Sequence, residues 1–174
     1  MQHIEERWHL GEATVNDEYA VYLAIEAVLA ALPETPVGEP PLGAPPILLA
    51  TLAGEEHDLG LRLLAGSFTE AGWRVDARAG IEGPELIAVA IRDMRRIVGI
   101  SATFMSRRAR AATVATVAGL KAAGIHVLAG GAAFSRSPAL GQQMGVDLVA
   151  TDARFAVLYA NRLIRTATMR AATT

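Results

Sequence analysis

From residue 47 onward, apolar runs alternate with segments whose apolar positions recur at helical spacing. The runs Ile47–Ala53, Ile97–Ser101, Ile125–Ala129 and Val146–Ala150 are nearly continuous in apolar residues and predict strands buried on both faces. A shorter strand is predicted at Arg74–Arg78. Between them the pattern predicts helices over 60–72, 84–95, 109–123 and 152–169, and a short helical segment after the fourth strand. Five strands, each followed by a helical segment, predict an α/β fold. Its expected form is a flavodoxin-like, doubly wound, five-stranded parallel sheet covered on both faces.

The chain before residue 47 reads differently. A first helix ends near Leu10 and is interrupted by Gly11; Thr14 is placed to N-cap a second helix, with Asp17 three residues on. Glu18, Tyr22, Ile25, Leu29 and Leu32 recur at spacings of four and three and define one face of that helix, apolar except at Glu18. Pro33 to Pro46 then holds six of the eight prolines. Proline fixes φ and lacks the N–H that helices and inner strands need, so this segment is expected to be extended. The predicted organisation is a helical cap over 1–33, a Pro-rich linker over 34–46 and an α/β domain over 47–174.

Composition narrows the chemistry. A chain of 174 residues, 52% hydrophobic, can bury a core without staples, and having no cysteine it can form no disulfide, thiolate metal site or Cys nucleophile. The formal net charge of −2 gives no electrostatic footprint for nucleic acid or an anionic membrane. No charge-free apolar run reaches the roughly 18 residues of a membrane span, and the start of the chain, polar and acidic, does not read as a signal peptide. The expectation is a soluble, cytoplasmic protein. Arg92, Arg95 and Arg96, with Arg107, Arg108 and Arg110, are read as solvated helix ends in preference to an anion-binding patch. His3 and His126 are taken as structural.

In a parallel sheet of this kind, ligands bind outside the carboxyl ends of the strands, which directs attention to loops 54–60, 102–108 and 130–138. The first carries Glu55, His57 and Gly60. A carboxylate two residues before a histidine can accept a hydrogen bond from one ring nitrogen, making the other a better metal ligand. Gly60 would let a bulky group approach the backbone. The same residues also read as an acid-rich surface loop with a solvated histidine. Ser101 and Thr103 follow the third strand and Gly130–Gly131 follow the fourth; singly, each is equally an ordinary turn or cap.

Taken together, Glu55-x-His57-x-x-Gly60, Ser101-x-Thr103 and Gly130-Gly131 resemble the cobalamin-binding domain family over residues 47–174. Glu55 stands where that pattern has Asp, and Thr103 where it has Leu. The resemblance implies His57 as the lower cobalt ligand in place of the cofactor's own base. It places the nucleotide tail beside Ser101, Thr103, Gly130 and Gly131.

Trp8, nine residues and then Glu18-Tyr19 resembles the Trp-x9-Glu-His motif of CarH-type adenosylcobalamin photoreceptors. That implies Trp8 against the adenosyl group, Glu18 bonded to it, and His9 as the upper cobalt ligand after light. Tyr19 stands where the motif has His. No basic helix-turn-helix precedes Trp8, so direct nucleic-acid binding is not expected. Only two cap helices fit before Pro33, which leaves an apolar stripe for a second copy or a protein partner to cover. The expectation is a light-sensing adenosylcobalamin protein that is not itself an enzyme and signals through a homo-oligomer or a partner. The alternatives are a corrinoid carrier subunit for methyl transfer or a mutase, and a related module holding haem or a bilin.

Overall fold

The structure is a computed structural model that describes Thr14, Asp17 and scattered positions between 20 and 28, then residues 40–171 except Glu56, with side chains as far as Thr166. The chain forms two compact units, Met1–Val37 and Gly38–Thr174.

In the first unit, every described position from 17 to 28 is helical. Thr14 and Asp17 cap that helix reciprocally: the Thr14 N–H donates to Asp17 Oδ2 at 2.7 Å and the Asp17 N–H donates back to Thr14 Oγ1 at 3.3 Å. Trp8, His9, Glu18 and Tyr19 lie outside the described residues, as do Tyr22, Leu29 and Leu32.

The second unit alternates strand and helix. Its elements are β1 (Pro46–Leu52), α1 (Leu59–Glu70), β2 (Arg74–Ile81), α2 (Gly83–Arg92), β3 (Ile97–Ser101) and α3 (Arg107–Ala122). They continue with β4 (His126–Gly130), the short α4 (Ala132–Arg136) and α5 (Pro138–Met144), β5 (Leu148–Val149) and α6 (Ala153–Ala171). All strand pairs are parallel and the order is β2-β1-β3-β4-β5. This is the five-stranded flavodoxin-like sheet expected from the alternating pattern.

Alternation along the strands sends consecutive side chains to opposite layers. Leu48, Ala50, Val98, Ile100 and Val127 pack against Leu86 and Val89 of α2 and Val117 and Leu120 of α3. Ile47, Leu49, Ile97 and Leu128 face the other way, onto Leu61 and Phe68 of α1 and Ala156 and Ala160 of α6. Trp73 closes that second layer: its ring meets Phe68 edge-on at 5.4 Å, and its indole N–H donates to Asn161 Oδ1 of α6 at 3.1 Å. Packing outweighs capping here. Asp58 makes no side-chain cap bond at the start of α1, yet full burial of a Leu or Phe side chain contributes about 1.5–3 kcal/mol against about 1 kcal/mol for a cap.

Several boundaries differ from expectation for identifiable reasons. β2 runs on to Ile81, because the Gly80 N–H donates to the buried Thr51 Oγ1 and the register shifts between Ala50 and Leu52 to allow it. Pro46, assigned to the linker by composition, is the first residue of β1. β5 is only two residues long, although the Asp147 and Ala150 N–H groups on either side of it still donate to the Val127 and Ala129 carbonyls of β4, each at 2.8 Å; the Asp147 carboxylate also accepts the Val127 N–H at 2.7 Å and pairs with Lys121. Among the described residues, no helix is long and apolar enough to cross a membrane.

Candidate functional site

The order 2-1-3-4-5 places the topological switch point between β1 and β3. After β1 the chain turns into α1 on one face, and after β3 it turns into α3 on the other, so the two loops diverge and leave a crevice. Glu55 bridges it. One carboxylate oxygen, Oε1, lies 2.9 Å from His57 Nδ1 and also accepts the His57 N–H at 3.0 Å. The other, Oε2, accepts the main-chain N–H of Thr103 at 2.7 Å and of Phe104 at 3.2 Å.

The Glu55 side chain is only 7% exposed, whereas the His57 ring is 51% exposed. Burial by itself would push the Glu55 carboxyl up. The N–H groups of His57 and Thr103, the His57 ring and the Phe104 N–H more than offset it and hold the carboxyl below its ordinary range. A carboxylate kept ionised against the Nδ1 side sets the imidazole with a proton on Nδ1, so Nε2 becomes the nitrogen with metal-binding character. Among the described residues no group of three or more His, Asp and Glu side chains could hold a metal ion by itself.

Beside this loop, a cleft of about 320 Å³ opens between α1 and α6, over the ends of β3 and β4. Gly60, Leu63 and Leu64 of α1 form one wall, Ala153 and Ala156 of α6 the other, and Ser101, Gly130 and Gly131 lie along its floor and rim. The volume is at the lower end of ligand pockets, about 300–1,000 Å³, and the lining is apolar with a few hydroxyls.

The two glycines singled out by the motif have separate reasons. Gly131 sits at φ +93° and a Cβ there would lie 2.4 Å from the Ala102 carbonyl oxygen, so the close approach of the β3 and β4 loops requires glycine. At Gly60 the fold makes no such demand: a Cβ would meet only Ser101 Oγ, at an ordinary 3.5 Å. Its absence keeps the mouth of the cleft open. A slender, mostly apolar cleft floored by small residues, next to one oriented imidazole, fits a corrinoid whose nucleotide tail is detached from the metal and buried.

The structure thus brings Ser101, Gly60, Gly130 and Gly131 together around the cleft, and Glu55 and His57 onto the adjoining loop. Thr103 departs from expectation: it does not line the cleft, and what it contributes is its main-chain N–H, held by Glu55. The α6 wall and Thr151 and Asp152 were not anticipated. The signal was present, since residues 150–153 follow the last strand and so lie at the same edge of the sheet. The arginine patch divides. Arg92 pairs with Asp93 at 2.7 Å and Arg95 with Asp76 at 3.5 Å, while Arg110 donates to Gln143 at 2.6 Å.

Comparison with known proteins bears on the family and the fold. The sequence pattern of the B12 binding domain matches residues 45–158. No curated protein sequence matches the chain. Among solved structures, the chain resembles a cobalamin-binding protein from Desulfitobacterium hafniense DCB-2, with a TM-score of 0.61 and 23% identity over 91% of this chain and 75% of that one. It resembles the monomethylamine corrinoid protein of Methanosarcina barkeri with a TM-score of 0.71 and 15% identity, over 93% of this chain and 77% of that one. It also resembles the methanol:cobalamin methyltransferase complex MtaBC of the same organism, with a TM-score of 0.61 and 17% identity over 93% and 62%. At these identities the structural likeness speaks to the fold. The sequence match spans well over half of the chain, and the protein belongs to the B12 binding domain family.

Proposed function

We propose that the chain holds cobalamin with its own base displaced, His57 as the lower cobalt ligand and the nucleotide tail in the cleft between α1 and α6. The observation that carries this is the Glu55 bridge, which orients His57 through one oxygen and ties it to the loop after β3 through the other. Bound cobalamin would supply a cobalt–carbon bond that light can break or from which a methyl group can be passed on. The chain's own residues bind the tail, set the imidazole tautomer and keep Glu55 ionised; in this reading the chain is not itself catalytic.

For its role, we propose light sensing with adenosylcobalamin, supported by the spacing of Trp8 and Glu18, with His9 beside the Trp and Tyr19 in place of the motif's His. The output would be a change of helix arrangement or of assembly, read by a second copy or a protein partner. A second reading, a corrinoid carrier subunit, is favoured by the likeness to a corrinoid protein and to a methyltransferase complex. Absorption spectra of the full chain with adenosylcobalamin, in the dark and after green light, separate the two. A stable new spectrum with histidine on both faces of the metal supports the sensor. Release of free aquocobalamin contradicts it and leaves the carrier.

A further inference from the structure

Phe104 is 69% exposed, on the loop that the Glu55 carboxylate holds. Isolated exposed apolar residues are common on protein surfaces and mean little by themselves. This one differs in how it is mounted. Its N–H donates to Glu55 Oε2 at 3.2 Å, while His57 Nδ1 lies 2.9 Å from Oε1, so the aromatic residue and the candidate ligand are fixed on the two oxygens of one buried carboxylate.

The neighbouring residue strengthens the mounting. Met105 is half-buried against Ala102, Ala129, Phe134 and Met144, and Ser106 caps α3 by accepting the Ala109 N–H at 3.1 Å. The loop is therefore tied down on both sides of Phe104, and the ring is held in water by a fixed backbone rather than left there by a loose one.

We propose that Phe104 is a cofactor-contacting residue: an aromatic platform beside His57 for the flat macrocycle of the corrinoid, distinct from the cleft that takes the tail. The proposal rests on the cobalamin reading above. A rigid aromatic side chain loses little conformational freedom on contact and gives up a large apolar area to a flat ring.

The test uses the full chain and two probes, hydroxocobalamin and aquocobinamide, which share the macrocycle but differ in that cobinamide has no nucleotide tail. Phe104→Ala should weaken binding of both by roughly tenfold, the size expected for taking most of one exposed aromatic side chain out of water. Phe104→Leu should recover part of the loss. The ligand-free melting midpoint should equal that of the wild type, because the ring packs on little in the protein. Unchanged affinity for both probes, a loss confined to cobalamin, or a lowered ligand-free midpoint would overturn the platform while leaving the cofactor reading intact. Failure of the wild-type chain to bind either probe would overturn both.

Discussion

Glu55 Oε2 accepts the Thr103 N–H at 2.7 Å across 48 positions of sequence, joining the loop after β1 to the loop after β3 at the switch point of the sheet. Because Oε1 of the same carboxylate orients His57, the position of the imidazole depends on the register between β1 and β3. The His57 ring is thus referred to the rigid sheet through one side chain.

Glu55→Gln tests that dependence. The amide cannot accept at both ends, so either His57 or the Thr103 and Phe104 N–H groups lose their acceptor. Corrinoid affinity should fall by about 10–100-fold, as for other partners that orient a metal ligand. Stability should fall by about 1–3 kcal/mol, measured by urea unfolding of the ligand-free chain. A change in affinity with no change in stability would show that the loop bonds contribute nothing to the fold.

Acid should act through the same group. Glu55 and Asp147 both have folded-state values held below their ordinary ones, for Asp147 by Lys121 and the Val127 N–H against the opposing effect of burial. A depressed carboxyl contributes stability in full above its unfolded value and loses it as pH falls through the folded one. The melting midpoint should therefore hold steady above the ordinary carboxyl values of 4.5 and 3.8 and drop below them. Glu55→Gln and Asp147→Asn should each flatten that drop.

The glycines separate fold from function. Gly131→Ala should destabilise the ligand-free protein by about 1–3 kcal/mol, from the strained backbone at φ +93° and the collision with Ala102. Gly60→Ala should leave stability unchanged or raise it by up to about 1 kcal/mol, since the site is helical and a Cβ has room. It should nevertheless weaken cobalamin binding while sparing cobinamide, which has no tail to pass the cleft mouth.

How much of this was legible in the sequence follows the range of the interactions. β3 matches its predicted limits because five buried residues in a row, Ile97 to Ser101, leave a strand no alternative period. β5 is shorter than the apolar run Val146–Ala150 because Val146 is apolar for packing against the core and Ala150, whose N–H still donates to the Ala129 carbonyl, ends the pairing with β4. At the site, Glu55, His57 and Gly60 are within six positions of one another and show as a local motif. The bond from Glu55 to Thr103 does not, because main-chain N–H groups carry no residue signature. The α6 wall was missed for a similar reason: Ala153 and Ala156 matter by being small, and small residues in an alanine-rich chain do not stand out.

We propose above that His57 takes the place of the cofactor's base on the metal. Electron paramagnetic resonance of bound cob(II)alamin measures this directly, because a lower-ligand nitrogen that overlaps the cobalt orbital holding the unpaired electron would split each cobalt line. In protein grown with histidine labelled with the heavy nitrogen isotope, the account predicts that the three-line splitting becomes two-line, and that His57→Ala in the labelled protein restores three lines or abolishes the splitting. A three-line pattern unaffected by the label would mean that the cofactor keeps its own base and would contradict the account.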